Sequence, residues 1–188
     1  MPELTQVKET KKGRYALFFD GEFAFSLDED TFAMAGLHTG DELEEWQIHD
    51  LQTKSDTRKA VDKAMDLLAL RDHAAGELYQ KLCRSFDPHS AAAAVAKMQE
   101  LNLLDDAGFA RRRAAELLRK RKSRRAILDD LHAKGIDRGT AAEAVEALFA
   151  QSEEDEEENP ELANARALVE RHYAAKLAQG KWQQVAAA

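Results

Sequence analysis

Cysteine is nearly absent from this chain of 188 residues, since Cys83 is the single one. One thiol cannot form an internal disulfide, and it cannot supply the several thiolates of a cysteine-based zinc site. Long apolar runs are missing too, and the basic N-terminal residues are not followed by the hydrophobic stretch of a secretory signal. The sequence therefore predicts a soluble protein of a reducing compartment, which we expect to be the cytoplasm.

Proline and glycine are also scarce, with 3 and 9 residues in the chain. Both interrupt helices, so their rarity beside 44% hydrophobic and 33% charged residues favours amphipathic helices. We predict a mainly α fold. Length alone does not decide between one domain and several small units in a row.

Basic residues do not predominate overall, because 27 Lys and Arg stand against 35 Asp and Glu, a net charge of -8. This balance argues against a general nucleic-acid-binding domain, which is usually basic. The two signs are nevertheless segregated along the chain. An acidic run covers Glu153 to Glu158, and a basic run lies upstream at residues 111–125.

Two short aromatic-rich runs within residues 14–26 are separated by Asp20-Gly21. These two residues accept the positive φ angles of a tight hairpin turn, so we predict a β-hairpin. A lone hairpin is marginal in water. We therefore expect its aromatic residues to pack on a helical element, for which a short helix at 28–35 is one candidate; they are Tyr15, Phe19, Phe23 and Phe25.

Helical patterns follow from Asp41 to Leu70, with a possible break at 53–56, where Ser55 or Asp56 would cap the next helix. Two further helices are predicted at 74–84 and 90–100, with Asp87-Pro88 at their junction. Their apolar residues recur at helical spacing, and the expected core residues are Val61, Met65, Leu68, Leu78, Leu82, Val95, Met98 and Leu101.

The same layout appears twice. Residues 65–82 are similar to residues 115–131, and in each the apolar pair lies four residues apart: Leu78 and Leu82 in one, Ile127 and Leu131 in the other. Each copy is followed by another predicted helix, at 91–98 and 140–148. An internal repeat of about 50 helical residues indicates stacked three-helix units.

The pattern after the acidic run resembles the opening of a third copy, and the sequence ends within its second predicted helix, which starts near Lys181. A truncated chain and a naturally shortened unit both remain open. We predict five segments: a β-hairpin region with short helices (1–57), a first three-helix repeat (58–104), a second (105–150), an acidic linker (151–160) and an incomplete third repeat (161–188).

The basic run is the sharpest local feature, with Glu116 as its one acid. Its cations repel one another, and a phosphate backbone or an acidic protein surface would neutralise them. A merely solvated helix face is the alternative. We predict that the run binds a partner or nucleic acid through Arg111, Arg112, Arg113, Arg119, Lys120, Arg121, Lys122, Arg124 and Arg125.

No catalytic arrangement is visible in the sequence: there is no glycine-rich phosphate loop and no Ser-His-Asp pattern. The six histidines are scattered without metal-ligand spacing, and we expect them at the surface or in turns. Cys83 is expected to be at least half-buried, and Trp46 and Trp182 to be packing residues. We predict no enzyme activity, no metal and no cofactor.

Four segments carry a family resemblance. They are LFFDGEFAFSLDED with the following LHTGDEL, AMDLLALRDHAAGELYQKL, ELNLLDDAGFARRRA and ILDDLHAKGI. In this order and spacing they resemble the N-terminal region, the first repeat, the junction and the end of the second repeat of the RecX family. The chain departs from the family at His73-Ala74, where a serine helix cap is usual, and in its third unit, which lacks a closing helix.

The resemblance implies three tandem three-helix modules without catalytic residues. Such a protein binds RecA, lodges in the groove of the RecA filament on single-stranded DNA, and modulates, usually inhibits, ATP hydrolysis, strand exchange and co-protease activity. A monomer is expected, and direct binding to single-stranded DNA stays open.

Two other functions remain as alternatives. In a DNA-binding regulator of transcription, residues 126–133 would be the recognition helix, although Asp129 and Asp130 would face phosphates badly. A repeat scaffold for some other protein would differ only in its partner.

Overall fold

The computed structural model describes residues 1–155 and 160–178. It contains two compact units, one formed by Met1–Leu104 and one that begins at Asp105. The first unit has strands β1 (Leu4–Glu9), β2 (Arg14–Phe19) and β3 (Glu22–Asp28) and helices α1 (Glu29–Ala35), α2 (Glu45–Leu70), α3 (Ala75–Leu82) and α4 (Pro88–Glu100). The second unit has α5 (Asp106–Arg119), α6 (Arg124–Ala133), α7 (Arg138–Asp155) and α8 (Pro160–Ala178). The mainly α fold of three-helix repeats behind a small β region is confirmed.

The predicted hairpin is formed by β2 and β3. Asp20 and Gly21 have φ angles of 49° and 86°, as the tight turn requires. The sequence did not indicate β1, which pairs antiparallel with β2 and makes a three-stranded sheet of order β1-β2-β3. Its sequence, LTQVKE, is mostly polar and exposed, so no apolar run marked it as a strand.

The inner face of the sheet packs against α1 and α2 around buried leucines and phenylalanines. Tyr15 stacks on Phe32 of α1 with ring centroids 4.4 Å apart, so the expected contact with this helix exists. The expectation for Phe23 was wrong. An irregularity in the pairing between Leu17 and Phe18 shifts the register, and Phe23 is 61% exposed, with its ring in a T-shaped arrangement with that of Phe18.

Helix α2 is unbroken, so the predicted break at 53–56 was wrong. Ser55 does not cap a helix but lies buried inside one. Its hydroxyl donates to the Ser26 carbonyl oxygen at 2.6 Å and accepts a hydrogen bond from Arg14 Nη2 at 3.2 Å. The polar residue thus ties the helix to the sheet, and α2 continues through the expected boundary after residue 57.

The second half of α2 packs with α3 and α4. Asp87 caps α4 by accepting from the amides of His89 and Ser90, and Pro88 occupies the first turn, where its missing amide proton costs nothing. The buried apolar core includes four of the expected residues, Leu78, Leu82, Val95 and Met98.

Four other expectations for this unit were wrong. Met65 and Leu101 are 42% and 44% exposed, and Trp46 is 68% exposed. Cys83 is exposed as well. Alanines occupy the face of α2 that meets α4, and alanines of α4 join them in the core, whereas Met65 lies outside that core; these alanines are Ala60, Ala64, Ala91 and Ala94.

Helices α5, α6 and α7 pack on one another in the second unit. Ile127 and Leu131 are fully buried, as the repeat predicted. Helix α7 extends to Asp155 and therefore enters the segment expected to be a linker. Helix α8 lies in the segment predicted to be an incomplete third repeat, and Trp182 lies outside the described residues.

Candidate functional site

Helix α5 presents the first part of the basic run. Asp105 caps it by accepting from the Gly108 amide at 2.8 Å, and a Cβ atom on Gly108 would lie only 1.9 Å from Asp105 Oδ2. Phe109, Ala114 and Leu117 face the core. Because the apolar residues occupy one face, the opposite face carries the exposed residues Arg111, Arg112 and Arg119.

A tight turn connects α5 to α6 and carries most of the remaining cations. The amide of Arg121 donates to Leu118 O at 2.8 Å, and that of Lys122 donates to Leu117 O at 3.0 Å. This pair of bonds is a Schellman cap, in which Arg121 occupies the left-handed position usually filled by glycine, with φ 57°. Ser123 then caps α6 by accepting from the Ala126 amide at 3.3 Å.

Arg113 belongs to the framework of the unit. Its guanidinium donates to both carboxylate oxygens of Asp130 at 2.8 and 2.9 Å, and to Glu116 at 2.9 Å. These hydrogen bonds lower the pKa of the Asp130 carboxyl and raise that of Arg113. The bidentate pair joins α5 to α6. It also engages Asp130, one of the two α6 acids that the sequence placed towards phosphates in a DNA-binding arrangement.

Two more cations have carboxylate partners. Lys120 pairs with Glu116, and its hydrogen bond is the main cause of the lowered pKa of that glutamate. Arg124 pairs with Glu146 of α7 and lies 5.6 Å from the centroid of the Phe149 ring. Both side chains therefore have carboxylate partners within the second unit.

Five cations of the run are left exposed, and none of them has an ion pair with a residue in the described ranges 1–155 and 160–178. We call this set the basic surface; it consists of Arg111, Arg119, Arg121, Lys122 and Arg125. Arg112 is exposed but has an interaction of its own, so it is not counted in the set. Of the nine predicted residues, three are ion-paired, five form the basic surface, and Arg112 stands apart from both sets.

The segment that carries the basic surface is similar to a known protein domain. Residues 105–145 match the family model described as RecX, second three-helix domain. Proteins named Regulatory protein RecX are similar over most of the chain. The chain thus contains a RecX domain and is similar to RecX proteins over most of its length.

Three RecX relatives show the extent of the similarity. The one from Caldanaerobacter subterraneus is 27% identical, and the alignment spans 80% of this chain and 77% of that protein. The one from Bacillus velezensis is 30% identical over 79% of this chain and 58% of its own length. The one from Lactobacillus gasseri is 31% identical over 94% and 64%, so the chain spans less than two thirds of the last two.

Two solved RecX structures share the fold. A crystal structure of regulatory protein RecX matches 98% of this chain and 90% of its own with a TM-score of 0.67 and 21% identity. RecX from Lactobacillus salivarius matches 69% of this chain and 82% of its own with a TM-score of 0.56 and 18% identity.

His73 stands where RecX sequences were expected to carry a serine cap, and it is only 3% exposed, not at the surface. Its Nδ1 donates to the Arg71 carbonyl oxygen at 2.9 Å, and its Nε2 lies 2.9 Å from Lys81 Nζ. Because an ammonium can only donate, the imidazole must accept and is neutral. Burial lowers the pKa of His73, and Arg71 in turn holds Glu77 by two hydrogen bonds.

In the parts of the chain that the structure describes, three or more His, Cys, Asp or Glu side chains do not come together in a metal-binding arrangement. No helix among those residues combines the length and apolarity needed to cross a membrane.

Proposed function

We propose that this chain regulates the RecA recombinase by binding the RecA filament on single-stranded DNA, and that the basic surface is a contact site. The observation that carries the proposal is the set of five exposed cations without described ion partners, in the segment that matches the second RecX domain. The proposed action is inhibition of ATP hydrolysis, strand exchange and co-protease activity by occupancy of the filament.

Electrostatics supports a polyanionic partner. Arg119, Arg121 and Lys122 lie within one helical end and its turn, so their like charges repel in the isolated protein. A partner that brings phosphates removes this repulsion and releases condensed counterions, which favours association. Arg113, by contrast, is paired with Asp130, and we assign it a structural role.

The proposal requires no chemistry from the chain itself. The relatives are named regulatory proteins, and we infer that this chain likewise acts by binding, without enzyme activity or cofactor. We propose a monomer that works in the cytoplasm.

The alternative of a base-reading transcription regulator finds less support. Helix α6 would be its recognition helix, yet Asp130 is held by Arg113 and Asp129 is exposed on the same helix. Neither residue pairs well with phosphates or with the acceptor-rich edge of guanine, and α6 bears no Asn or Gln for adenine. A repeat scaffold for another protein would differ from the proposed function only in the protein that it binds.

The direct test is ATP hydrolysis by RecA on single-stranded DNA, measured over a range of concentrations of this protein. We expect a progressive decrease in the hydrolysis rate. A rate that stays unchanged at a large excess of the protein would contradict the proposal. The control uses an unrelated acidic helical protein at the same concentrations, because crowding alone must leave the rate unchanged.

A further inference from the structure

Helix α8 contributes to a cavity beside the basic surface. The cavity has a volume of about 470 Å³ and is lined by Arg121 of the α5–α6 turn and by Ala167, Leu168, Glu170 and Arg171 of α8. Arg171 lies outside the basic run, more than forty residues along the chain from it, so the charge pattern of the sequence did not associate the two.

We propose that Arg121 and Arg171 together bind a phosphate group of a single-stranded nucleic acid in this cavity. The inference rests on the proposed function, and it deepens that function by naming the ligand chemistry and a second helix that takes part. Arg171 is then a binding residue, and α8 is part of the binding surface.

The charge of the cavity fits an anion. It has two guanidinium groups and a single carboxylate, Glu170. Neither arginine forms an ion pair with any residue of the described ranges, Glu170 included. Guanidinium groups present planar pairs of donors that match two phosphate oxygens, so two arginines can hold one phosphate from two sides.

The cavity size fits a piece of a nucleic acid chain. A volume of about 470 Å³ lies within the range of roughly 300–1,000 Å³ that is usual for ligand pockets. It exceeds the space that a lone phosphate needs, so a phosphodiester can enter with part of its sugars and with water. Leu168 is 41% exposed and offers an apolar wall for a sugar or a base.

The backbone gives an independent argument for Arg121. Its left-handed conformation, with φ 57°, is one that glycine adopts without strain and that a side chain makes unfavourable. Gly135 fills the corresponding position after α6, with φ 80°. Strain of this kind persists where the side chain has a task, and binding a ligand in the adjacent cavity is such a task.

A double-mutant cycle tests the shared site, with a fluorescent oligothymidine as the probe and binding measured at several salt concentrations. Arg121→Gln and Arg171→Gln should each weaken binding roughly three- to tenfold and reduce the slope of log affinity against log salt by about 0.7, the value for one phosphate. The double variant should bind oligothymidine almost as well as the single variant with the lower affinity, because both arginines hold the same phosphate. Fully additive losses, or an unchanged Arg171→Gln, would overturn the inference.

Two further variants separate binding from folding. Arg121→Gly should raise the melting temperature, since it relieves the left-handed strain, and should still lose affinity. If Arg121→Gly kept both the affinity for oligothymidine and the salt dependence of the parent protein, the role of Arg121 would be overturned. The matched control is Arg138→Gln, which removes an exposed arginine of the same unit and should leave affinity unchanged.

Failure of the inference can be told apart from failure of the proposed function. Pyrophosphate, titrated while the arginine Nε–H signals are followed by NMR, should shift those of Arg121 and Arg171. If both shift although the protein binds no RecA filament, the site stands and the proposed function fails. If the protein binds oligothymidine and the filament but neither variant weakens either complex, the site fails alone. If the two arginine variants lose filament binding but bind oligothymidine as the parent protein does, the arginines contact RecA carboxylates. That result would overturn the phosphate site.

Discussion

Nine basic side chains lie between Arg111 and Arg125, and their surroundings differ from one residue to the next. The sequence located the run but did not reveal that Arg113 pairs with Asp130, because these residues are 17 positions apart and meet only when α5 and α6 fold together. It also did not reveal that Glu116 and Glu146 neutralise Lys120 and Arg124. Local charge density is therefore readable from sequence, whereas the charge left open to a partner is a property of the packing.

Replacing Arg113 by Ala should destabilise the second unit, because it removes the bidentate link between α5 and α6. Since Arg113 and Asp130 remain 26% and 28% exposed, water screens the pair, and we expect a loss of about 1–2 kcal/mol in the free energy of unfolding. Urea denaturation measures this quantity. The matched control, Arg111→Ala on the same helix, should change it by less than about 0.5 kcal/mol. Equal effects of the two substitutions would refute the division of the run.

The buried His73 should make stability depend on pH. Its pKa is lowered from 6.5 in the folded state by burial, so the unfolded chain binds the proton more readily. Stability from this residue is therefore present above about pH 6.5 and is lost as the pH falls below that value towards the folded pKa. The neighbouring charges of Arg71 and Lys81 act in the same direction, and Glu77 opposes them.

His73→Gln should flatten this dependence, because glutamine can accept from Lys81 and does not titrate. The measurement is the free energy of unfolding of both proteins at about pH 7.5 and about pH 5.5, on either side of the histidine pKa in the unfolded chain. Carboxylates contribute equally in the two proteins, so the comparison isolates the histidine. Parallel pH profiles would show that His73 is not responsible.

Turns and repeated apolar pairs made several elements predictable. Asp20-Gly21 fixed the hairpin, Asp87-Pro88 opened α4, and the pair Ile127 and Leu131 repeated the buried pair of α3. Two of the errors share a physical cause, which is that a polar residue or segment pairs with a partner far along the chain. Ser55 looked like a helix cap but bonds to Ser26, 29 residues away, and β1 exists because β2 offers it an edge.

Placing a charge in either repeat core tests which elements belong together. Leu82→Asp and Leu131→Asp each bury an ionised group without a partner, and we expect losses above about 4 kcal/mol in the unit that carries the substitution. Hydrogen exchange should show lost protection mainly in α2–α4 for the first variant and in α5–α7 for the second. As a control, Leu103→Asp alters a leucine that is 51% exposed and should have a small effect. Identical, chain-wide loss of protection in both core variants would argue against local repeats.

Net charge is a poor guide to this molecule as a whole. The chain is acidic, at -8, while residues 105–150, which include the segment that matches the second RecX domain, contain more basic than acidic side chains. Because the acidic residues lie mostly elsewhere in the sequence, a basic surface persists in a protein with a pI near 5.3. The proposed attraction to a polyanion would therefore depend on this one unit and should weaken with salt.

The central claim, that the basic surface binds the filament, is tested most directly by the affinity of the protein for a preformed RecA filament across a salt series. The test variant carries Arg119→Ala, Arg121→Ala and Lys122→Ala. The control carries Lys11→Ala, Lys63→Ala and Arg84→Ala, which remove the same charge from exposed positions of the first unit. We predict at least a tenfold loss of affinity and a flatter salt dependence for the test variant, with the control close to the parent protein. Equal affinities and equal salt slopes for the parent and the test variant would contradict the account and leave the basic surface a solvated helix end.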